Sequence, residues 1–403
     1  MPYSTRRKKN TIISADAWVK ILRSLDDQVD DLAININNIA KHILNTANEI
    51  LLFNGDWNRY KVEIKELNKI RENSVFAGVD SSLTPPIRLG PYLSSTVSAA
   101  AIITRGIAKN PTKIIDASFE RAPEVSDAGN AYHEIKMKMF EKEVEMLGKC
   151  MAQISRMYNE NVDKIIFMDG PIVDPPIFSK GSQSLHDSYE NLYVKNRATT
   201  ILEGIKQNIW TIGIVKTIEG NLLASTLTFS SEISNEISHL LNDHTLITFI
   251  FKSSYLTEIL RKSIVDDNKD IVLVTKAFEL SNNTDYPIYR RYNLFVYSFY
   301  ILPGLRSPKK KVFRVEIPFD HEPSEQELEE HIWKWAKYVA AASLPGYGIP
   351  IPVIFAHKAC TIPRRTARKV MKETVSRFLT TSLKKRTTFG IIGAIDLVQG
   401  LVE

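Results

Sequence analysis

Apolar residues recur in alternating steps of four and three near the start of the chain. They are Trp18, Leu22, Leu25, Val29, Leu32, Ile36, Ile39 and Ile43. Ser14 precedes them as a candidate N-cap, so the spacing predicts one long helix within an N-terminal helical region, residues 1–70. The narrow apolar stripe packs either on the helix's own domain or against a second subunit, and the pattern does not decide between these.

From Val75 onward the pattern changes to short apolar runs that are broken by Gly and Pro. Residues 75–80, 94–105 and 113–119 are predicted strands, a helix follows over 137–158, and a fourth strand covers 164–169. Three strands, a helix and a strand are the α/β order of an RNase H-like domain, a mixed sheet flanked by helices. In that fold we expect the first and fourth strands to be neighbours.

The rest of the chain alternates between both patterns. Helices are predicted at 185–207, 233–241, 325–342 and 364–379, and strands at 210–216, 246–251, 270–276, 292–302, 311–318 and 349–356. We assign residues 71–403 to one domain, and we interpret the hard-to-read stretch 218–330 as a candidate inserted α+β region.

Composition narrows the class of protein. The chain has 403 residues, 44% of them hydrophobic, which is enough for a large core. Lys and Arg exceed Asp and Glu by six (52 against 46), which favours polyanionic partners without requiring them. Two cysteines indicate a reducing compartment, and we expect a cytoplasmic protein. The apolar runs are too short for a membrane span.

Two aspartates stand where predicted strands leave the core. Asp80 ends the run Val75-Phe-Ala-Gly-Val-Asp80, and Asp169 ends Ile165-Ile-Phe-Met-Asp169. If these strands are neighbours, their carboxylates converge on one divalent-metal site, an arrangement that suggests phosphodiester chemistry.

The predicted helix before Asp169 offers candidates for a third metal ligand. It carries Glu134, Glu141, Glu143 and Glu145. At about 1.5 Å per helical residue and about 3.3 Å per strand residue, Glu143 lies level with Asp169, whereas Glu134 overshoots. Glu143 also borders the apolar face of the helix. A solvated surface charge is an equally good interpretation of Glu143.

His357 is the fourth candidate ligand, because it ends the predicted strand 349–356 and precedes a basic helix. A lone histidine can equally be structural. Tyr347 lies in the turn Pro345-Gly-Tyr-Gly348 and either brings a phenol toward the same site or caps the strand.

Basic residues are candidate phosphate ligands. Lys216 ends a predicted strand, and a basic helix face is formed by Arg364, Arg365, Arg368, Lys369 and Lys372. That face contacts DNA or is simply solvated. Arg314 and Glu316 are interpreted as a cross-strand ion pair.

Motifs for other chemistries are absent from the sequence. It has no Gly-rich phosphate loop ending in Gly-Lys-Ser/Thr, no Gly-x-Ser-x-Gly elbow and no His-Glu-x-x-His pair. We therefore do not expect the chain itself to hydrolyse nucleoside triphosphates.

Four blocks, taken in order, resemble the NurA nuclease family, partners of the HerA hexameric DNA translocase. They are Gly78-Val-Asp-Ser-Ser82, Phe167-Met-Asp-Gly170, Ile212-Gly-Ile-Val-Lys216, and Phe313-Arg-Val-Glu-Ile-Pro318 followed by Gly346–His357. The resemblance implies an RNase H-like core, a homodimer, and Mn²⁺ or Mg²⁺ at a two-metal site. It implies the ligands Asp80, Asp169, His357 and a helix glutamate, here best placed at Glu143, and it maps a family tyrosine loosely onto Tyr347.

The leading hypothesis is therefore a metal-dependent deoxyribonuclease that acts on single-stranded DNA and duplex ends. The resemblance implies 5′–3′ exonuclease action with some single-strand endonuclease activity, in end resection with a HerA-type hexameric ATPase. The alternative is a non-catalytic dimeric adaptor that guides DNA into a translocase ring. Two features motivate this alternative, the narrow apolar stripe of the predicted N-terminal helix and the apolar tail 389–397, either of which could be an interaction surface.

Overall fold

The computed structural model of the chain describes most residues between 50 and 384. The described residues are 29, 50–53, 56–89, 92–106, 109–123, 128–158, 161–173, 193–218, 220, 222–223, 242–252, 268–280, 289–304, 311–343 and 348–384. Almost all of the predicted N-terminal helix, the helical piece at 233–241, Tyr347 and the apolar tail lie outside them.

The strands and helices follow one another in α/β order. The strands are β1 (Lys61–Glu63), β2 (Ser74–Leu83), β3 (Ile87–Leu89), β4 (Tyr92–Arg105), β5 (Lys109–Pro123), β6 (Asp163–Asp169), β7 (Ile209–Val215), β8 (Lys269–Ile271), β9 (Leu273–Val274), β10 (Phe278–Glu279), β11 (Phe295–Leu302) and β12 (Phe313–Phe319). The helices are α1 (Ile64–Asn73), α2 (Ala128–Met157), α3 (Lys195–Lys206), α4 (Asp243–Lys252), α5 (Glu325–Ala342), α6 (Ile351–Cys360) and α7 (Arg364–Lys384).

One large mixed sheet organises the chain, in the order β10-β11-β12-β7-β6-β2-β4-β3, with β5 paired to β4. Strands β2, β6 and β7 run parallel, whereas β4 is antiparallel to β2 and β5 is antiparallel to β4. The first and fourth predicted strands, β2 and β6, are neighbours, as expected. This is an RNase H-like sheet flanked by helices, and the predicted fold class is confirmed.

The central strands are buried on both faces, so their apolar residues alternate between two cores. Phe76 of β2 and Phe167 of β6 pack into one core with α5, where Trp335 and Val339 are buried. Val75, Ala77 and Val79 point into the other core, which α2 and α3 cover. The stretch 218–330 contributes β11 and β12, which extend the same sheet beyond β7.

The predicted strand at 246–251 is wrong, because this segment is helix α4. Leu246, Ile247, Ile250 and Phe251 are all buried, and their spacing places them on one helical face. The Asn242 side chain accepts a hydrogen bond from the Thr245 backbone N–H at 2.8 Å, as an N-cap does. A short run of β-branched and aromatic residues cannot be told from a strand by composition alone.

We expect Asn242→Ala to lower the free energy of unfolding by about 1 kcal/mol, because it removes this cap. Asn242→Asp keeps an acceptor oxygen and is the matched control, with little change expected. Chemical denaturation of the three proteins measures the difference. Equal stability of the Ala and Asp variants would contradict a helix that begins at Asp243.

The predicted strand at 349–356 is also wrong, because these residues begin α6. The sequence Ile349-Pro-Ile-Pro352 alternates with a period of two, but Pro352 occupies the first helical turn, where its missing N–H costs nothing. Val353, Ala356 and Cys360 are buried at helical spacing. His357 therefore projects from a helix and does not end a strand.

Among the helices of the described ranges, none is both long and apolar enough to cross a membrane.

Candidate metal centre

Asp80 and Asp169 meet where the parallel pairing of β2 with β6 ends; β6 stops at Asp169, whereas β2 continues past Asp80 to Leu83, paired only with β4. Val79 of β2 pairs with Met168 of β6, so the next residue of each strand is an aspartate. Asp80 is 5% exposed, and the Asp169 side chain is 11% exposed. The sequence prediction that these two carboxylates converge agrees with this geometry.

Helix α6 places His357 and Cys360 against the same carboxylates. His357 Nδ1 lies 2.8 Å from Asp80 Oδ2 and 3.5 Å from Asp169 Oδ2. The Cys360 thiol donates to Asp80 Oδ2 at 3.2 Å. The two residues are three positions apart on one helix, so both reach Asp80. Sequence reasoning missed Cys360, and its spacing from His357 becomes informative only once the segment is known to be a helix.

Electrostatics at Asp80 favour a cation. Burial, together with the negative charge of Asp169, raises the pKa of Asp80 to about 6, although Cys360 and His357 oppose the shift by hydrogen bonding. Ligand atoms of Asp80, His357 and Cys360 all lie within 4.8 Å of one another. Buried carboxylates beside an imidazole are suitable ligands for Mn²⁺ or Mg²⁺, so the residues present fit a divalent metal.

Lys216 lies in this cluster. It directly follows β7, whose Ile214 pairs with Asp169, and its Nζ is 2.5 Å from Asp169 Oδ2. The sequence interpretation gave Lys216 a phosphate, whereas in the structure it pairs with a carboxylate. The Lys216 ammonium therefore places a positive charge beside Asp169.

Glu143 approaches from α2, on the opposite face of the sheet from His357. Its Oε2 accepts from the Ser81 hydroxyl at 2.7 Å, so it lies beside the residue that follows Asp80. Its Oε1 lies 3.4 Å from Arg197 Nη2. Glu143 is 6% exposed, so a solvated surface charge is not the correct interpretation, while its role as a metal ligand stays a prediction.

Arg197 of α3 is a site residue that sequence reasoning missed. It is 1% exposed, and the same Nη2 that faces Glu143 donates to the Pro171 carbonyl oxygen at 2.7 Å. Arg197 thus ties the helix glutamate to the chain just beyond Asp169. The available signal was its position among Val194, Ala198 and Ile201, where a core residue is expected on an amphipathic helix.

Glu316 holds the segment that follows Asp169. Its Oε2 accepts from the backbone N–H groups of Ile172 and Val173 at 2.7 and 3.1 Å, and Arg314 donates to its Oε1 at 2.7 Å. Arg314 and Glu316 lie two apart on β12, so their ion pair lies within one strand. The cross-strand interpretation is wrong, because side chains at this spacing share a face.

We expect Glu316→Gln to lower the free energy of unfolding by about 2 kcal/mol, because the amide cannot accept all three hydrogen bonds and Arg314 loses its anionic partner. Thermal or chemical denaturation measures the loss. Glu66→Gln is the control, because Glu66 forms a more exposed ion pair with Lys337 at 2.7 Å. Equal losses in the two variants would contradict a structural role for Glu316.

The predicted basic face is present on α7. Arg365, Arg368 and Lys369 are exposed and share one side of the helix with Lys372, at positions i, i+3, i+4 and i+7. Arg364 begins the helix, but its side chain lies outside the described part of the structure. Tyr347 lies outside it entirely.

A family model, the NurA domain, matches residues 74–362, a span that contains β2, β6, β7 and α6. The chain belongs to the NurA family. The matched residues include Asp80, Glu143, Asp169 and His357. No curated protein matches the chain.

Solved structures with a similar fold include NurA proteins. A NurA crystal structure is 12% identical, with a TM-score of 0.42 over 88% of this chain and 97% of that one. A NurA bound to dAMP and manganese is 13% identical, with a TM-score of 0.36 over 89% and 96%. Endonuclease V of Ciona intestinalis in complex with a 24mer DNA is 13% identical, with a TM-score of 0.30 over 77% and 96%. Because these identities and scores are low, the family assignment rests on the domain match.

Proposed function

We propose that this NurA chain is a divalent-metal-dependent deoxyribonuclease that hydrolyses phosphodiester bonds at the cluster of Asp80, Asp169 and His357. The observation that carries the proposal is the meeting of two aspartates on adjacent parallel strands, with an imidazole 2.8 and 3.5 Å from their oxygens. Membership of the NurA family and the net positive charge of the chain support the same function.

Asp80, Asp169 and His357 would hold the metal, with Glu143 as a fourth ligand if its contacts to Ser81 and Arg197 rearrange. When bound, Mn²⁺ or Mg²⁺ would lower the pKa of a water nucleophile and neutralise charge on the phosphate. A site for two ions is also part of this proposal, and it is implied by the family resemblance.

The chain's own residues would position the DNA. The His357 side chain is 58% exposed, so the buried aspartates reach solvent on the side where this imidazole lies. Lys216 stands beside Asp169 and, with its charge, would attract the scissile phosphate once the carboxylate is otherwise neutralised. The exposed cations of α7 follow directly after α6 and would bind the phosphate backbone leading to the site.

The finer parts of the proposal come from the family resemblance. They are 5′–3′ exonuclease action with some endonuclease activity on single strands, a homodimer, and end resection with a HerA-type hexameric ATPase. The apolar stripe of the predicted N-terminal helix, which would form the dimer contact, lies almost wholly outside the described residues. The division into residues 1–70 and 71–403, with 218–330 as an insertion, also stays a proposal.

One observation favours the alternative, a non-catalytic adaptor that guides DNA. Asp169 and Glu143 each contact a cationic side chain of the chain itself, Lys216 and Arg197 respectively. In an adaptor, such ion pairs would replace the metal permanently. The adaptor would bind DNA equally well with or without Mn²⁺ and would leave it intact.

Digestion of end-labelled DNA tests the proposal. Single strands and blunt duplexes carrying a 5′ or a 3′ label are incubated with Mn²⁺, Mg²⁺ or a chelator. We expect metal-dependent cutting, with early release of the 5′-labelled nucleotide if the enzyme degrades from that end. Binding without cutting under every condition would favour the adaptor, and cutting in the chelator would rule out the proposed chemistry.

A further inference from the structure

A cavity of about 370 Å³ lies between the sheet and the start of α7. Its walls include Thr84 after β2, Ser94 of β4, Phe119 of β5, and Ile362 and Arg368 beside and on α7. The volume lies within the range that small-molecule pockets occupy. The cavity is distinct from the cluster of Asp80, Asp169 and His357, and none of that cluster lines it.

The cavity opens on the same face of the sheet as Asp80. Asp80 of β2 pairs with Ala100 of β4, and Ala100 pairs with Ile115 of β5. Four residues further in the same direction are Thr84, just after β2, and the paired residues Thr96 and Phe119. Side chains two apart on a strand share a face, so Phe119 and Thr84 lie on the metal-centre side. Thr84 is four residues beyond Asp80, or roughly 13 Å along the chain at about 3.3 Å per residue.

Two kinds of surface meet in the cavity. Phe119 is 43% exposed, which is high for a large aromatic side chain, and Arg368 is an exposed cation. An exposed aromatic ring beside a cation is the combination with which proteins bind single strands, because a base stacks on the ring while the cation attracts phosphate.

Polar residues complete the cavity wall. Thr84, Ser94, Ser95 and Thr96 line it together with the apolar and cationic residues. A nucleobase supplies a face for Phe119 and polar edge groups for these residues, and the phosphates of its strand supply negative charge for Arg368. A second copy of this chain, whose net charge is +6, would cover Phe119 but would not complement the charge of Arg368.

We propose that this cavity binds one unpaired nucleobase of the DNA strand, a few nucleotides from the phosphate at the metal centre. The inference rests on the proposed nuclease function and deepens it, because it names an unpaired base as the element that is recognised. Bases of an intact duplex are stacked and paired and cannot enter. The cavity would therefore make the chain favour single strands and frayed ends.

Phe119→Ala tests the proposal, with Ile115→Ala as its matched control. Ile115 lies on the same strand and face and is 58% exposed, but it does not line the cavity. Fluorescence anisotropy with labelled DNA in a chelator measures binding without cleavage. We expect Phe119→Ala to weaken single-strand binding by about tenfold or more, and blunt-duplex binding by less than about twofold, since one stacked base is lost. Ile115→Ala should change neither.

A second binding measurement uses a single strand from which the bases have been removed. The wild type should bind it more weakly than the normal strand, and Phe119→Ala should cause no further loss. Equal effects of the two substitutions, or an equal loss on the duplex, would overturn the proposal. So would a fall in molecular mass in Phe119→Ala, which would assign this surface to a second copy of the chain.

The two proposals fail in different ways. A wild type that cuts no DNA with any metal contradicts the nuclease function, whatever the cavity does. A wild type that binds and cuts single strands, with a Phe119→Ala variant that does so equally well, contradicts only the base-binding cavity.

Discussion

Asp80→Asn and Asp169→Asn should each lower the rate of metal-dependent DNA cleavage by at least about 100-fold. Substituting a residue that only hydrogen-bonds to a metal ligand already lowers metal affinity or activity about 10- to 100-fold, and these two residues are proposed ligands themselves. Each substitution replaces a carboxylate by a neutral amide of the same shape at the junction of β2 and β6. Initial rates on a labelled single strand, with Mn²⁺ in excess, measure the loss. Asp116→Asn is the control, because Asp116 is a partly exposed carboxylate of β5 that pairs with Lys149 at 2.7 Å.

The stability of Asp80→Asn separates loss of function from misfolding. The pKa of Asp80 is raised to about 6 from its ordinary value of 3.8, so the folded protein holds that proton more tightly than the unfolded chain. The free energy of unfolding therefore falls as pH rises from about 4 to about 6 and stays lower above that range. At neutral pH the metal-free variant, which lacks the buried charge, should melt no lower than the wild type. A large drop in melting temperature together with lost activity would contradict this account.

Gly78→Ala should destabilise the protein by about 3 kcal/mol, the upper end of the range for overpacking, and displace α6. A Cβ at this position would lie 2.1 Å from the Pro352 carbonyl oxygen and 2.7 Å from the Val353 nitrogen. Both contacts are with backbone, so no side-chain rotation relieves them. Because α6 carries His357 and Cys360, its displacement should also reduce metal-dependent cleavage.

Gly148→Ala is the matched control for Gly78. Gly148 lies inside α2, and an added Cβ meets no atom within 4 Å. This variant should gain about 0.5–1 kcal/mol, since Ala loses less backbone entropy than Gly in a helix. Denaturation curves and cleavage rates are compared across the three proteins. A Gly78→Ala variant as stable and active as Gly148→Ala would contradict the close packing of α6 on β2.

The centre of the sheet was predictable because β2 and β6 each contain a continuous apolar run that is followed by an aspartate. Strands buried on both faces have this pattern, so their presence followed from the sequence, and their adjacency followed from the RNase H-like order of elements. The predicted end of the first strand was three residues short, because β2 continues past Asp80 to Leu83 by pairing with β4. The rise per residue in helix and strand predicted that Glu143 lies level with Asp169, and Glu143 in the structure contacts Ser81, which follows Asp80. Its function as a ligand remains a prediction.

Helix α6 and the cationic partners were not predictable by the same means. The period of two in Ile349-Pro-Ile-Pro352 is typical of a strand, whereas the structure has a helix from Ile351 that packs closely on Gly78. The pairs Lys216–Asp169 and Arg197–Glu143 join residues 47 and 54 positions apart. Such pairings depend on how the strands and helices pack together, which the local sequence pattern does not specify.

Binding of Mn²⁺ at equilibrium tests the central claim most directly, because it asks whether Asp80 and Asp169 form a metal site without relying on activity. Electron paramagnetic resonance measures free Mn²⁺ during titration of the wild type, Asp80→Asn, Asp169→Asn and the control Asp116→Asn. The account predicts that the wild type and the control bind Mn²⁺ saturably and that Asp80→Asn and Asp169→Asn do not. Binding that is unchanged in those two variants, or absent from the wild type, would contradict it.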